Sequence, residues 1–496
     1  MRFTKLFLFS LIVLCLSTYP YAQAAGGTAY YVDQTAGNDN NNGTSPSTPW
    51  KNAPGMLACT GICASTTLQP GSTVYFNSAG TWSLPSGDYG LHVRGGVTYI
   101  GDGWGSGVRA TLRATGAMNT AIVDIREDHP TYPTVVKGFD IDANKQVTDG
   151  VGINHPSYSG QLIGAVKRLD NLVVHNTWSR TSLGQYKYPI IISDWGGTSA
   201  TVKNVEVLNS VVHDVSRDGI CLYPGDSSAD NIIQNITVRG NEVYNTGQDP
   251  DYGAGSGVLV KGHVIDAFIE NNYIHNTVGA GIFVNGNEGS HYGTGPTNIH
   301  FRFNIVNVNT IHGSIRIYDG PSGKDPKDVK IYGNVVYNNN TNGGFLIDPD
   351  LGNTNSLLVY NNTFFNAPVR INNTAAVFSP FEFKNNIVYY PGGTPITGSN
   401  RFTASSNNLT TDPLFKDAAS LPSGFKVASG ASMVPTTDGL SLRSGSPAIN
   451  TGVSLGSAYA GSVNSVTRPV GGGWDIGAYE YAGLAPAPPK NLKVQQ

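Results

Sequence analysis

From about residue 150 onward one short phrase recurs along the chain: a small residue, Gly or Pro, then apolar-x-apolar, then a polar residue. Its copies are GVGIN (150–154), PIIIS (189–193), GICLY (219–223), GVLVK (257–261), GIFVN (281–285), SIRIY (314–318), GFLID (344–348) and PVRIN (368–372). They start 39, 30, 38, 24, 33, 30 and 24 residues apart. From the third copy onward a second phrase follows each, apolar-x-x-Asn-x-apolar. It places Asn241, Asn272, Asn304, Asn334, Asn362 and Asn386 at equivalent positions, 31, 32, 30, 28 and 24 apart. Alternation with period two predicts strands, and the bounding Gly, Asn, Asp and Pro keep each one short. Repeats of this length without a 3.6-residue pattern predict the rungs of a parallel β-helix. A propeller blade needs four strands and a longer period, whereas uneven spacing suits a solenoid, in which insertions become loops on one side. GLHVR (90–94) and IVDIR (122–126) read as earlier rungs.

The alternation also assigns sides. Val258 and Val260, Ile282 and Val284, Ile315 and Ile317, and Phe345 and Ile347 point into the tube. The recurring Asn is expected to stack as a ladder, each amide bonding the next rung and a corner backbone group otherwise left stranded. Outward positions run His92, Asp124, Gly152, Ile191, Cys221, Leu259, Phe283, Arg316, Leu346 and Arg370. The polar position closing each phrase runs Arg94, Arg126, Asn154, Ser193, Tyr223, Lys261, Asn285, Tyr318, Asp348 and Asn372.

The two ends differ from the repeats. Tyr30-Tyr31-Val32-Asp33, Gly37-Asn38-Asp39 and Pro49-Trp50-Lys51 lie at one end. Asp412-Pro413-Leu414-Phe415, Ser446-Pro447-Ala448-Ile449-Asn450 and Asp475-Ile476-Gly477-Ala478-Tyr479-Glu480-Tyr481 lie at the other. Over residues 28–481 the chain resembles secreted right-handed parallel β-helix proteins of the pectate-lyase-like group. The resemblance implies an all-β, right-handed solenoid with capping segments at both ends. The expected division is a signal peptide (1–24), an N-terminal segment and cap (25–85), β-helix rungs (86–400), a C-terminal cap (401–481) and a Pro-rich tail (482–496). Tyr30, Tyr31 and Trp50 are expected to pack the cap.

Arg2 and Lys5, the apolar run Leu6–Leu16 and the small-x-small site Ala22-Gln23-Ala24 form a secretory signal, so the chain is expected to be secreted, into the medium or a periplasm. In an oxidising compartment Cys59 and Cys63 are close enough to bridge a loop, and Cys221 reads as a buried structural thiol. The balance of 31 basic against 34 acidic residues, with only 13% charged, excludes a disordered chain and a strongly basic nucleic-acid binder. Beyond the signal, no run of eighteen apolar residues suggests a membrane span. Phosphate-loop, HExxH and GxSxG motifs are missing.

Loops leaving the outward face are longest between about residues 223 and 328 and rich in Gly, Asp, Tyr and His. Long loops on one side of a rigid tube build a groove. There Lys261 lies between rungs ending in Tyr223 and Asn285. Leu259 and Phe283 flank it, and desolvation by them is expected to turn it into a usable base. With His263, Tyr223, Arg316 and Tyr318 it forms the candidate catalytic set for β-elimination on a uronate-containing glycan. Asn285, His291, Tyr292, Asp319 and Asp218 are candidate substrate contacts, and Asp249 and Asp251 are candidate ligands for Ca²⁺. The expected partner is an acidic polysaccharide, bound by a monomer. Two alternatives stand beside the lyase. One is a glycoside hydrolase using two carboxylates among Asp218, Asp226, Asp249, Asp251, Glu288 and Asp319. The other is a non-catalytic polysaccharide-binding or matrix protein.

Overall fold

The structure is a computed structural model that describes residues 27–154, 161–178, 188–193, 201–224, 231–249, 255–286, 295–318, 325–339, 342–347, 355–372, 379–427 and 432–483. Among them the chain is nearly all β, arranged as a right-handed parallel β-helix. A first sheet has 13 strands, from Ala29–Val32 to Ala404–Ser406; a second has 11, from Leu91–His92 to Ile396–Thr397; a third has 11, from Thr81–Leu84 to Ile387–Tyr389. Each turn visits the first, third and second sheets in that order. Ile232–Arg239 leads to Glu242–Thr246, then Val258–Lys261, then back to the first sheet at Val264–Glu270. The register is direct: Val258 pairs with Ile282 and Ile282 with Ile315. Residues at one repeat position therefore stand in columns along the tube. Every inward residue inferred from the alternation is fully buried, in one apolar core that runs the length of the tube.

The Asn ladder forms, and it reaches further than the repeat suggested. Asn241 Nδ2 donates to Asn272 Oδ1 at 3.0 Å and to the Val207 carbonyl at 2.9 Å. The same pair of bonds recurs at Asn272, Asn304, Asn334, Asn362 and Asn386, ending on Asn408 Oδ1. The residue before each ladder Asn turns the corner in the left-handed region: Asn271 at φ 53°, Asn361 at 51° and Asn385 at 56°. Asn tolerates that conformation better than most side chains, which explains the recurring Asn pairs.

The tube extends past the expected boundaries at both ends. Thr73–Asn77 and Thr81–Leu84 are already in register before residue 86, and Ala404–Ser406 still belongs to the first sheet after residue 400. The N-terminal cap is as expected: Tyr30 stacks on buried Trp50 at 4.8 Å, and Tyr31 on Tyr75 at 5.5 Å. Cys59 and Cys63 form a disulfide across the short helix Gly61–Ser65, and Cys221 is a buried free thiol.

The C-terminal segment both closes the end of the tube and runs on along its side. The end of the tube is closed by Phe402, stacked on Phe383 at 4.7 Å and edge-on to Phe381. The chain after it folds back along the outer face of the third sheet. There Phe415, Leu440, Ile476 and Tyr479 share an apolar cluster with Tyr273, Ile305, Val335, Tyr337 and Phe365. Apolar residues at outward positions of the later rungs require such a cover. Among the described residues no helix is long and apolar enough to cross a membrane.

Candidate functional site

The outward face of the second sheet carries a row of cations seated on aromatic rings. Arg217 lies 5.1 Å from the Tyr188 ring centroid, and Lys261 Nζ lies 4.9 Å from that of Tyr223. Arg316 lies 4.8 Å from Phe283 and 5.2 Å from Tyr318, with its Nη1 3.3 Å from His312 Nδ1. Further along, Arg370 lies 6.0 Å from Tyr390 and donates to the Thr394 carbonyl at 2.9 Å. Register places these groups: Leu259, Phe283, Arg316, Leu346 and Arg370 form one column, and Lys261, Asn285 and Tyr318 the next. A ring face under a cation holds it in place.

Elsewhere on the tube, cations meet carboxylates. At the N-terminal end of this same face His92 sits between Asp124 (3.0 Å) and Glu127 (3.3 Å); Arg126 pairs with Asp124 and Arg94 with Glu127. Those hydrogen bonds raise the His92 pKa to about 9. Arg168, Arg302, Lys384 and Lys416 are likewise ion-paired. Among the described residues Lys261 and Arg370 have no carboxylate within ion-pair distance, so the second sheet's middle and later rungs retain charge for a ligand.

The structure thus brings together Lys261, Tyr223, Asn285, Arg316 and Tyr318. Tyr223 is 5% exposed and forms the platform under Lys261. His263 follows Gly262, which turns at φ 71°, and its carbonyl accepts the Ile233 N–H at the first sheet; the chain has already left the outward face there. Asp218 is buried, and its Oδ1 accepts the Ser256 N–H at 2.7 Å. Asp149 does the same for the Tyr188 N–H at 2.5 Å. The column Asp149, Tyr188, Asp218, Ser256 is therefore a set of corner supports, each carboxylate bonding the next rung. Desolvation pushes the Tyr188 hydroxyl and the Cys221 thiol well above their usual pKa values. Cys221, Ile191, Leu259 and Tyr188 pack together as an apolar floor. Asp226, Asp251, Glu288, His291, Tyr292 and Asp319 lie outside the described residues.

Asp249 is buried. No group of three or more His, Cys, Asp or Glu side chains suited to a metal ion is gathered among the described residues. The described residues by themselves do not fit a Ca²⁺ site. The repeat did not single out Tyr188, which stands just before one five-residue phrase, or Tyr390, which lies well beyond the last of them. The pairing of ring and cation on neighbouring rungs becomes visible only once register is known.

A profile of the family described as disaggregatase related matches residues 202–324. No curated protein matches the sequence significantly. Among solved structures, pectate lyase Pel9A matches with a TM-score of 0.52 and 16% identity, over 91% of this chain and 96% of that one. A rhamnogalacturonan lyase matches with a TM-score of 0.33 and 14% identity, over 84% of this chain and 97% of that one. A lacto-N-biosidase from Eubacterium ramulus matches with a TM-score of 0.38 and 14% identity, over 77% of this chain and 67% of that one. The likeness to pectate lyase Pel9A shows a shared right-handed parallel β-helix.

Proposed function

We propose that this chain is an exported polysaccharide-active protein, and that it acts as a lyase on a uronate-containing glycan lying along the second sheet. The observation that carries the reading is the row of ring-seated cations, Arg217 on Tyr188, Lys261 on Tyr223 and Arg316 on Phe283 and Tyr318. The rings hold the cations in place, and the cations suit carboxylates. The name of pectate lyase Pel9A, which shares the fold over most of both chains, points to the same class of acidic substrate.

In this reading Arg316 pairs with the uronate carboxylate and stabilises the negative charge that develops as the proton on carbon 5 is removed. Lys261 takes that proton. The electron pair forms the double bond between carbons 4 and 5, the bond from carbon 4 to the glycosidic oxygen breaks, and the leaving oxygen takes a proton from the Tyr318 hydroxyl. Lys261 and Tyr318 stand on the same column with Asn285 between them, which leaves room for one sugar ring between base and acid.

The test is ultraviolet absorbance of unsaturated sugar when the purified protein meets pectate, alginate or glycosaminoglycans. Lys261→Ala is expected to abolish the signal and leave the melting temperature unchanged. Retained activity in that variant removes Lys261 as the base. Release of reducing ends without absorbance replaces the lyase with a hydrolase.

A further inference from the structure

At the N-terminal end of the tube, the cap and the first turn border a cavity of about 410 Å³. One wall comes from the cap, between residues 34 and 60. The other comes from the strand Thr81–Leu84 and the turn that follows it as far as Gly90. Met56, Leu57, Leu84, Pro85 and Tyr89 supply the apolar lining. Leu57 is 52% exposed, so it faces the cavity side of the cap and not the core. Tyr89 is held against His92, 5.4 Å between ring centroids, and lies 5.7 Å from the Arg126 guanidinium.

Only two side chains of the lining are charged, Asp39 and Lys51. Asp39 is fully used by the cap. Its Oδ1 accepts the Lys51 N–H at 3.0 Å and the Asn52 N–H at 2.8 Å. Its Oδ2 accepts from Asn52 Nδ2, the Thr60 N–H and the Thr60 hydroxyl at 3.0, 3.1 and 3.3 Å. Lys51 differs. Its backbone carries the structural bonds, the N–H to Asp39 and the carbonyl to the Trp82 indole N–H at 2.9 Å. Among the described residues its Nζ has neither a hydrogen bond nor an ion pair, and the Gln34 amide nitrogen, Asn52 Oδ1 and Ser83 Oγ have no protein partner either. The wall that bears them is firm, because the Cys59–Cys63 disulfide and the bonds from Thr60 to Asp39 fix the cap loop. Little ordering is then lost when a ligand enters.

We infer that this cavity binds a single acidic sugar ring, with the carboxylate of a uronate on Lys51 and its hydroxyls on Gln34, Asn52 and Ser83. The lining selects that class. One cation without a partner, beside a carboxylate that is already saturated, calls for one negative charge on the ligand. A purely apolar acid would cover the polar groups of Gln34, Asn52 and Ser83 and leave them unpaired, which is costly. A sugar ring meets them with hydroxyls and sets its C–H face on Leu57 and Tyr89. The volume lies toward the small end of the range for small-molecule sites, roughly 300–1,000 Å³, and suits one ring better than a chain. The site is separate from the proposed reacting centre and does not rest on the lyase reading: Val258–Lys261 lies five strands along the second sheet from Leu91–His92.

The experiment is calorimetric titration of the full chain with galacturonate and glucuronate, and with galactose and glucose as their neutral counterparts. The uronates are expected to bind about tenfold more tightly, the usual size of one charge-assisted contact. Lys51→Gln is expected to remove that difference while the backbone bonds of residue 51 stay in place. Ser83→Tyr, at an exposed position of its strand, fills the cavity and is expected to abolish binding of all four sugars. Circular dichroism and melting of both variants are expected to match the parent. Should Ser83→Tyr fail to fold, Lys51→Gln alone decides. Uronates that bind no more tightly than neutral sugars, uronate binding that Lys51→Gln leaves unchanged, or no uronate binding at millimolar concentration each overturn the inference. Trigalacturonate then identifies the source of the ring. Lys51-dependent binding of it means that the cavity takes the end of a chain, and its exclusion means that the cavity takes the free sugar. Failure of the lyase reading shows separately, as absent absorbance in the turnover assay, and leaves these affinities intact.

Discussion

Asn304 is fully buried, yet its amide is completely used: Nδ2 donates to the Ile269 carbonyl at 2.8 Å and to Asn334 Oδ1 at 2.9 Å, and Oδ1 accepts from Asn272. Asn304→Ala strands groups on both neighbouring rungs and is expected to cost about 2–3 kcal/mol, read from denaturant unfolding. Asn304→Asp keeps the acceptor but loses the donors, and so is not rescuing. His92 makes a second testable case. Its pKa is raised above the ordinary histidine value to about 9 by Asp124 and Glu127. Its pairing thus contributes fully below about pH 6.5 and is lost as pH rises through about 9. The stability difference between the parent and His92→Gln is expected to shrink between pH 7 and pH 10, and NMR titration of the His92 ring measures the pKa directly. The ladder asparagines were legible in the sequence because each repeat carries one in the same phrase. Of the acidic partners of His92, Asp124 was legible as its neighbour in the outward series, whereas Glu127 stands outside the repeated phrase and only the fold brings it beside the ring.

At the scale of elements, the second-sheet strands were readable nearly to the residue, since apolar-x-apolar phrases bounded by Gly or Pro leave little choice of start and end. The fold-back of the C-terminal segment was not. Its sequence looks like any irregular, Gly- and Ser-rich stretch, and what decides its place is the apolar outer strip of the third sheet that it covers. Arg468 pins it there. Buried in the segment, this guanidinium bonds the carbonyls of Gly461, Gly477 and Tyr479 and lies 3.3 Å from Glu480. Nearby, the Ala478 N–H reaches Thr363 Oγ1 on the third sheet at 2.9 Å. Arg468→Ala leaves Glu480 buried and unpaired, and is expected to cost about 3–5 kcal/mol. The segment then loosens while the tube persists, so the variant should bind a hydrophobic dye and be clipped by protease after residue 400 with its β-sheet circular dichroism largely kept.

As a whole the molecule is quasi-one-dimensional: each turn of the tube touches the turn before and the turn after, and stability accumulates from neighbour to neighbour. The fold class followed from the repeat, and the outward face followed from its alternation. The loops leaving that face did not follow, because their sequences carry no repeat. One feature of this architecture concerns how the protein is made. The ribosome releases the chain from its N-terminus, so the wall of the tube, down to Ile387–Tyr389 in the third sheet, emerges before Phe415, Leu440, Ile476 and Tyr479 that shield it. During that interval Ile305, Val335, Tyr337 and Phe365 form an uncovered apolar strip on an otherwise finished wall, open to the same strip on a neighbouring nascent chain. Yield in a heterologous host should therefore depend less on how fast the rungs wind than on how promptly the last hundred residues arrive.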